Sequence, residues 1–182
     1  LSISLFIIDL TAPTVSSTSP NDNLSSVLIS ENISVTFSES MDNSSLTINT
    51  SNTTSDGYSL QLSSDNFSSC VKIGSSPSSS NLDKTFTFSP SSKMFYSTTY
   101  KIRVTTAAED SAGNNMSSQN TQTYGFETYT TFPITTGTSH SCFMMDNGSV
   151  KCWGKNNLGQ LGLADNISRG DNSSEMDDNL NF

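Results

Sequence analysis

Apolar and polar positions alternate along much of the chain. In residues 32–38 (NISVTFS), Ile33, Val35 and Phe37 share one side and polar residues the other. Residues 58–62 (YSLQL) repeat the pattern with Tyr58, Leu60 and Leu62, and residues 85–89 (TFTFS) with Phe86 and Phe88. Residues 100–106 (YKIRVTT) direct Tyr100, Ile102 and Val104 inward, with Lys101 and Arg103 toward water. Residues 123–128 (TYGFET) add Tyr124 and Phe126. Side chains alternate across a strand, so each run predicts a strand with one dry and one wet face. Several such strands in succession predict an all-β fold, a two-sheet antiparallel sandwich. No helical periodicity extends beyond two turns. Residues 11–130 span close to the ~100 residues such a sandwich needs.

The connections carry turn chemistry. Residues 9–13 (DLTAP) read as a linker whose Pro13 cannot donate to a sheet ladder. Residues 40–46 (SMDNSSL) predict one helical turn capped by Asp42. In residues 110–114 (DSAGN), Gly113 and Asn114 tolerate the positive φ that a turn between strands requires. Tyr100 opens an alternating strand just after a turn. That place suits a tyrosine-corner anchor, with a buried ring and a hydroxyl bonded to upstream backbone; Tyr96 is expected to matter less.

Composition narrows the function. The 182 residues carry 17 acidic and 8 basic side chains, a net charge of −9. That balance excludes nucleic acid as the expected partner, because phosphate recognition needs clustered cations, and it disfavours anionic lipid. Ser, Thr and Asn supply most of the polarity; residues 75–81 (SSPSSSN) are close to low complexity. The apolar stretch 1–8 (LSISLFII) is too short to cross a bilayer, so no direct membrane insertion is expected. Residues 1–10 read as a remnant of a preceding domain or a linker, with the core of a signal peptide as the alternative for the apolar stretch, and the chain reads as cut at both ends. Cys70, Cys142 and Cys152 form no C-x-x-C pair, and one His cannot complete a zinc site. No cofactor is expected.

With these pieces in place, residues 11–128 resemble the bacterial Ig-like domains first associated with surface-layer proteins. The matching segments are TAPTVSSTSP (11–20), ISVTFSESMD (33–42), FTFSPSSKMFYSTTYKIRV (86–104), EDSAGN (109–114) and GFET (125–128). The resemblance implies a spacer or adhesive module of an exported protein, extracellular or on the cell surface, without an active site. It also implies a second Cys near residues 55–57, opposite Cys70; this chain has none there.

Residues 131–182 follow another pattern. The stretch 137–162 (GTSHSCFMMDNGSVKCWGKNNLGQLG) strongly resembles the repeat of the regulator-of-chromosome-condensation propeller family. Gly137, His140, Asp146, Gly148, Val150, Trp153, Gly154, Asn156, Gly159, Gln160, Leu161 and Gly162 carry the match. Residues 141–145 and 149–153 read as a hairpin around Asp146, Asn147 and Gly148, with Gly148 left-handed. Trp153 offers apolar surface to a neighbouring blade, and Gly154, Gly159 and Gly162 permit sharp turns. One blade cannot bury its faces alone, so an incomplete blade is expected, a hairpin followed by a polar tail. A three-residue loop places Cys142 opposite Cys152, within disulfide reach. A two-residue loop on Asn147 and Gly148 would instead oppose Cys142 to Trp153, and two reduced thiols packed as small apolar groups remain the alternative chemistry.

Sharper chemistry has plain competitors. His140 beside Ser139, Ser141 and Cys142 suggests nucleophilic catalysis, yet neighbours on a strand face opposite ways, so a structural His fits better. Arg169, Gly170 and Asp171 spell the integrin-binding tripeptide, in what reads as a solvated loop. Asp9, Asp110 and Asn114 offer oxygens suited to Ca²⁺, while turn chemistry explains Asp110 and Asn114 equally well. The N-x-S/T triplets follow from composition. Nucleotide exchange, known for the propeller family's namesake, is not carried by one incomplete repeat. The expectation is a non-enzymatic structural or adhesive module, an Ig-like stalk bearing a propeller head. A protein-binding or inhibitor propeller tethered by an Ig-like domain is the alternative. A protein or a surface polysaccharide is the partner class in view.

Overall fold

The computed structural model describes residues 8–55, 57–130, 134–144, 149–172 and 175. The chain divides into two compact units, the first ending at Thr128 and the second beginning at Tyr129. In the first, eight strands follow one another: β1 (Val15–Ser19), β2 (Ile33–Phe37), β3 (Leu60–Ser63), β4 (Ser78–Ser80), β5 (Thr85–Phe88), β6 (Thr99–Val104), β7 (Asn120–Thr121) and β8 (Phe126–Glu127). One sheet has the order β1-β2-β5-β4; the other is β3-β6-β7, with β8 paired to the start of β6. All of these pairings are antiparallel.

The alternating residues make the core. Ile33, Val35, Phe37, Phe86 and Phe88 from one sheet face Leu60, Leu62, Tyr100, Ile102, Val104 and Phe126 from the other, all nearly inaccessible to solvent. Phe37 and Phe86 meet edge to face with ring centroids 6.0 Å apart, a preferred aromatic geometry. Gln122 joins the sheets through polar groups. Its side chain accepts from Ile102 N–H (3.0 Å) and donates to Thr18 Oγ1 and Pro20 O (both 2.9 Å).

Three expectations need correction. First, β3 is buried on both faces: Ser59, Gln61 and Ser63 are as inaccessible as the leucines between them. The segments on either side of β3 close around it: Val71 N–H donates to Leu62 O (2.7 Å), Ile73 N–H to Asn49 O (2.9 Å) and Cys70 N–H to Thr53 O (2.7 Å). Gln61 is satisfied there by donating to Ser55 O (2.5 Å) and Tyr58 O (2.9 Å), as a buried amide must be. Arg103 likewise does not simply face water; its guanidinium lies 3.9 Å from the centre of the Phe67 ring. Second, Tyr124 is 67% exposed. The Asp22 carboxylate accepts from the N–H groups of Thr123, Tyr124 and Gly125, and Gly125 is left-handed (φ 82°), so the chain reverses before Phe126. Third, residues 40–46 form no helical turn. Asp42 does hold Ser44 N–H (2.9 Å), but in a turn spanning residues 43–45. The low-complexity serines, for which the pattern predicts no strand, include an edge strand, β4.

The second unit holds β9 (Ile134–Thr136), β10 (His140–Met144) and β11 (Val150–Gly154) in the order β11-β10-β9. Among the described residues it is thus a three-stranded sheet rather than a hairpin alone, and residues 155–172 of the polar tail make turns and loop hydrogen bonds. Residues 1–7 and the loop of Asp146, Asn147 and Gly148 lie outside the described residues. Among the described residues no helix is long and apolar enough to cross a membrane.

Candidate functional site

Both ends of the sandwich can be located from its pairing. At one pole the chain enters past Asp9 and Thr14, where Thr14 and Ser38 exchange hydrogen bonds beyond the end of β2. Met41 bridges Asp110 there, just after β6. At the other pole Thr128 leaves beside the start of β6, donating its N–H to Thr98 O (3.1 Å). The chain therefore enters and leaves the sandwich at opposite poles.

The upstream pole gathers three carboxylates. Carboxylate oxygens of Asp9, Glu39 and Asp110 all lie within 4.8 Å of one another. Asp110 organises its loop. Its carboxylate accepts from Ala112 N–H (2.8 Å), Asn114 N–H (2.8 Å) and Asn114 Nδ2 (2.8 Å). Burial alone would raise its pKa, but the bonds from Asn114, Ala112 and Gly113 outweigh burial and hold it below the usual carboxylate range. Gly113 is left-handed (φ 91°); Asn114 is not among the positive-φ residues and contributes its amide instead. That amide donates to Asp110 and also to Asp9 O (3.2 Å), tying the linker to the sandwich. Glu39 is pushed above the usual range, first by desolvation and then by Asp9 and Asp110, with Lys84 opposing. Chemically the three carboxylates can share a proton or offer oxygens to a hard cation. Asn114, a donor toward the group, is not one of those oxygens. Glu39 was missed in the sequence; an acidic residue just past an inward-facing strand end was the only signal for it.

Tyr100 lies at the opposite end of β6. Its side chain is buried, its ring stacks on Phe126 at 5.9 Å, and its hydroxyl accepts from Phe95 N–H (2.9 Å). Thr128 Oγ1 donates to Phe95 O (2.6 Å), so the chain exit and the Tyr100 loop are fastened together.

In the second unit the register opposes Cys142 to Cys152, His140 to Gly154 and Ser141 to Trp153. Cys142 and Cys152 are joined, with Cα atoms 4.0 Å apart. The imidazole of His140 lies against Gly137, where a Cβ would come within 2.2 Å of Cε1. Gly154 (φ 105°) has no room either: a Cβ would sit 2.5 Å from Ser139 O. Asn156 is fully buried and centres the next loop. It donates to Asp165 O (2.9 Å) and accepts from Leu161 N–H (2.8 Å), and Leu161 is buried beside it. Gly159 and Gly162 take the left-handed turns there, at φ 74° and 72°. Gln160 Oε1 accepts from Leu158 N–H (2.8 Å). Trp153 is half-buried. Arg169 is committed internally: it pairs with Asp165 (2.6 Å), donates to Ile167 O (2.7 Å) and bridges Gly154 through its backbone. Asp165 is held below the usual range, chiefly by the Ile167 N–H, then by Arg169. Gly148 lies outside the described residues. Cys70 is buried in the first unit, its N–H on Thr53 O (2.7 Å).

Residues 9–131 match the bacterial Ig-like domain family, and residues 134–160 match the regulator of chromosome condensation (RCC1) repeat. Among solved structures, the S-layer protein rSbsC(31-844) is similar at 17% identity and a TM-score of 0.44, over 77% of this chain and 19% of that one. Domains 1–6 of the surface layer protein SbsC give 17% and 0.45 over 78% and 19%. The N-terminal part of the bacterial S-layer protein SbsC gives 16% and 0.44 over 77% and 32%. The chain thus spans about a fifth to a third of the length of these proteins. No curated protein matches.

Proposed function

The chain belongs to the bacterial Ig-like domain family, and on that premise we propose that it is a non-enzymatic structural module of an exported protein, displayed at the cell surface, in which the Ig-like sandwich is a stalk and the RCC1-type repeat begins a propeller head. The observation that carries the stalk reading is the polarity of the sandwich. The chain enters beside Asp9, Glu39 and Asp110 and leaves beside Thr98 and Thr128 at the other pole. Strands of five or six residues give such a module a rise of roughly 17–20 Å, and opposite poles let it be strung in series with whatever precedes and follows. The joined Cys142 and Cys152 support an oxidising compartment, since cytosolic thiols are kept reduced. Asp110, the most buried carboxylate among the described residues, is consumed by its own turn, which suits a joint rather than a catalytic group.

Protease treatment of intact source cells tests this reading. Peptides from residues 9–131 are expected in the shaved fraction. Their release only after lysis would refute surface display.

A further inference from the structure

Resting on the surface-module reading and deepening it, we propose that the outer face of β6 binds a neutral oligosaccharide in a groove centred on Thr99. Strand β3 ends at Ser63, opposite Lys101, so the sheet has no β3 partner beside Thr99. The gap opens into a hollow of about 400 Å³ lined by Ser64, Asp65, Asn66, Thr99 and Lys101. A second, separate hollow of about 130 Å³ also has Thr99 in its lining, with Leu24, Tyr124 and Glu127.

The loop forming one wall is held in an expensive conformation. Asn66 and Phe67 are both left-handed, at φ 57° and 66°, a region that non-glycine residues avoid. Surrounding contacts over-determine it. Ser63 Oγ accepts from Asp65 N–H (3.1 Å) and Phe67 N–H (2.9 Å). The Asp65 carboxylate accepts from Ser69 N–H (2.9 Å) and Ser69 Oγ (2.7 Å). Phe67 is clamped beneath Arg103, whose Nε donates to Gln61 (2.5 Å). A strained, locked loop beside a groove is what preorganised recognition needs, because ordering costs are met before the ligand arrives.

The lining selects the ligand class. Asp65, bonded first to Ser69 and then to Ser63, has its pKa lowered to about 2 and stays an ionised acceptor. Lys101, tethered to Thr123 O (2.7 Å), is a fixed donor, and the hydroxyls of Ser64 and Thr99 and the amide of Asn66 serve both ways. One cation set against Asp65 and Glu127 offers no net attraction to phosphate or sulfate. Donors and acceptors side by side suit vicinal hydroxyls. Exposed Tyr124 (67%) and Leu24 (46%) supply an apolar surface for the C–H faces of a sugar ring. A peptide would want a longer free strand edge or deep apolar pockets, whereas the edge that β3 leaves open on β6 is only Thr99 and Tyr100.

The test titrates the full chain, labelled with ¹⁵N, with cellohexaose, chitohexaose and maltohexaose. At least one is expected to shift the amides of Asn66, Thr99 and Lys101 with a Kd of about 1 mM or tighter. Tyr124→Ser and Thr99→Arg, both at exposed positions, are each expected to weaken it about tenfold with the melting temperature unchanged. No binding of any of the three at about 10 mM overturns the proposal. So does binding that both variants retain, which would put the sugar elsewhere. Surface shaving that succeeds while sugar binding fails would remove the groove and leave the stalk standing.

Discussion

Truncating Tyr100 probes the anchor of the sandwich more directly than any other substitution. The side chain is 2% exposed, stacks on Phe126 and accepts the Phe95 N–H. Burying an aromatic ring removes about 150–250 Å² from water, which at ~25 cal/mol/Å² gives about 4–6 kcal/mol as an upper bound. The alanine that remains still buries part of that area, while the vacated space costs extra, so Tyr100→Ala is expected to lose about 3–5 kcal/mol. Tyr100→Phe keeps the ring and strands only the part-buried Phe95 N–H, a loss of about 1–2 kcal/mol. Urea denaturation of the full chain, followed by circular dichroism at 25 °C, measures both. Tyr96→Ala is the control; Tyr96 packs only partly buried against the core, so its loss should be the smaller. A loss below about 1 kcal/mol for Tyr100→Ala would refute the argument, because that is the range of surface substitutions. Equal losses for Phe and Ala would show that the hydroxyl, not the ring, carries the anchor.

Three further outcomes follow from geometry. Gly154→Ala should unfold the second unit at lower urea than wild type, because the new methyl meets Ser139 O at a left-handed backbone; Trp153 fluorescence reports it, and an unchanged midpoint would contradict the packing. Non-reducing peptide mapping should recover Cys142 and Cys152 as one linked pair, with Cys70 alkylated only on unfolding; a Cys70 linkage would contradict the register. Glu39→Gln should stabilise the chain at pH 7. Burial, Asp9 and Asp110 raise the folded pKa above 4.5, so folded Glu39 holds its proton more tightly than unfolded Glu39. Its unfavourable contribution therefore grows as pH rises from the unfolded pKa through the folded one. Melting curves for the variant and wild type should converge below about pH 4, and a gap that persists there would rule out a titration effect.

What the sequence made legible was burial on one face. Strands β2, β5 and β6 were readable because their inner residues are apolar and their outer residues polar. Strand β4 was not, since Ser78, Ser79 and Ser80 are all exposed and leave no apolar period to detect. The dry outer face of β3 was hidden for the opposite reason. Ser59, Gln61 and Ser63 look like wet-face residues, and only the flanking segments that close around β3 make them core. Tyr124 shows the limit from a third side: it keeps the alternation of its segment, but three N–H groups captured by one Asp22 carboxylate turn it outward. That capture spans about a hundred residues of chain and has no local signature. The groove at Thr99 shares this property, being assembled from four separate stretches.

The second unit reverses the situation, since its letters were readable and their reasons were not. Gly137 and His140 are spaced so that an imidazole can lie where a Cβ would be, and Gly154 is required because Ser139 O already occupies that space. Asn156 explains why Leu161 follows it at five residues: the amide accepts from the Leu161 N–H while donating forward to Asp165, closing the loop with both groups buried. Asp165 in turn holds Arg169. These contacts form one chain of constraint from Gly137 to Arg169, with its strongest demands on groups that carry no reactive chemistry. The same chain decides the Arg169, Gly170 and Asp171 tripeptide. A guanidinium paired with Asp165 and bonded to Ile167 O has its charge already countered and part of its donor fork in use, which weakens its pull on a receptor carboxylate. The backbone on either side of it is fixed by exchange with Gly154. Read physically, Arg169 closes the repeat, and the tripeptide is a consequence of what its neighbours needed.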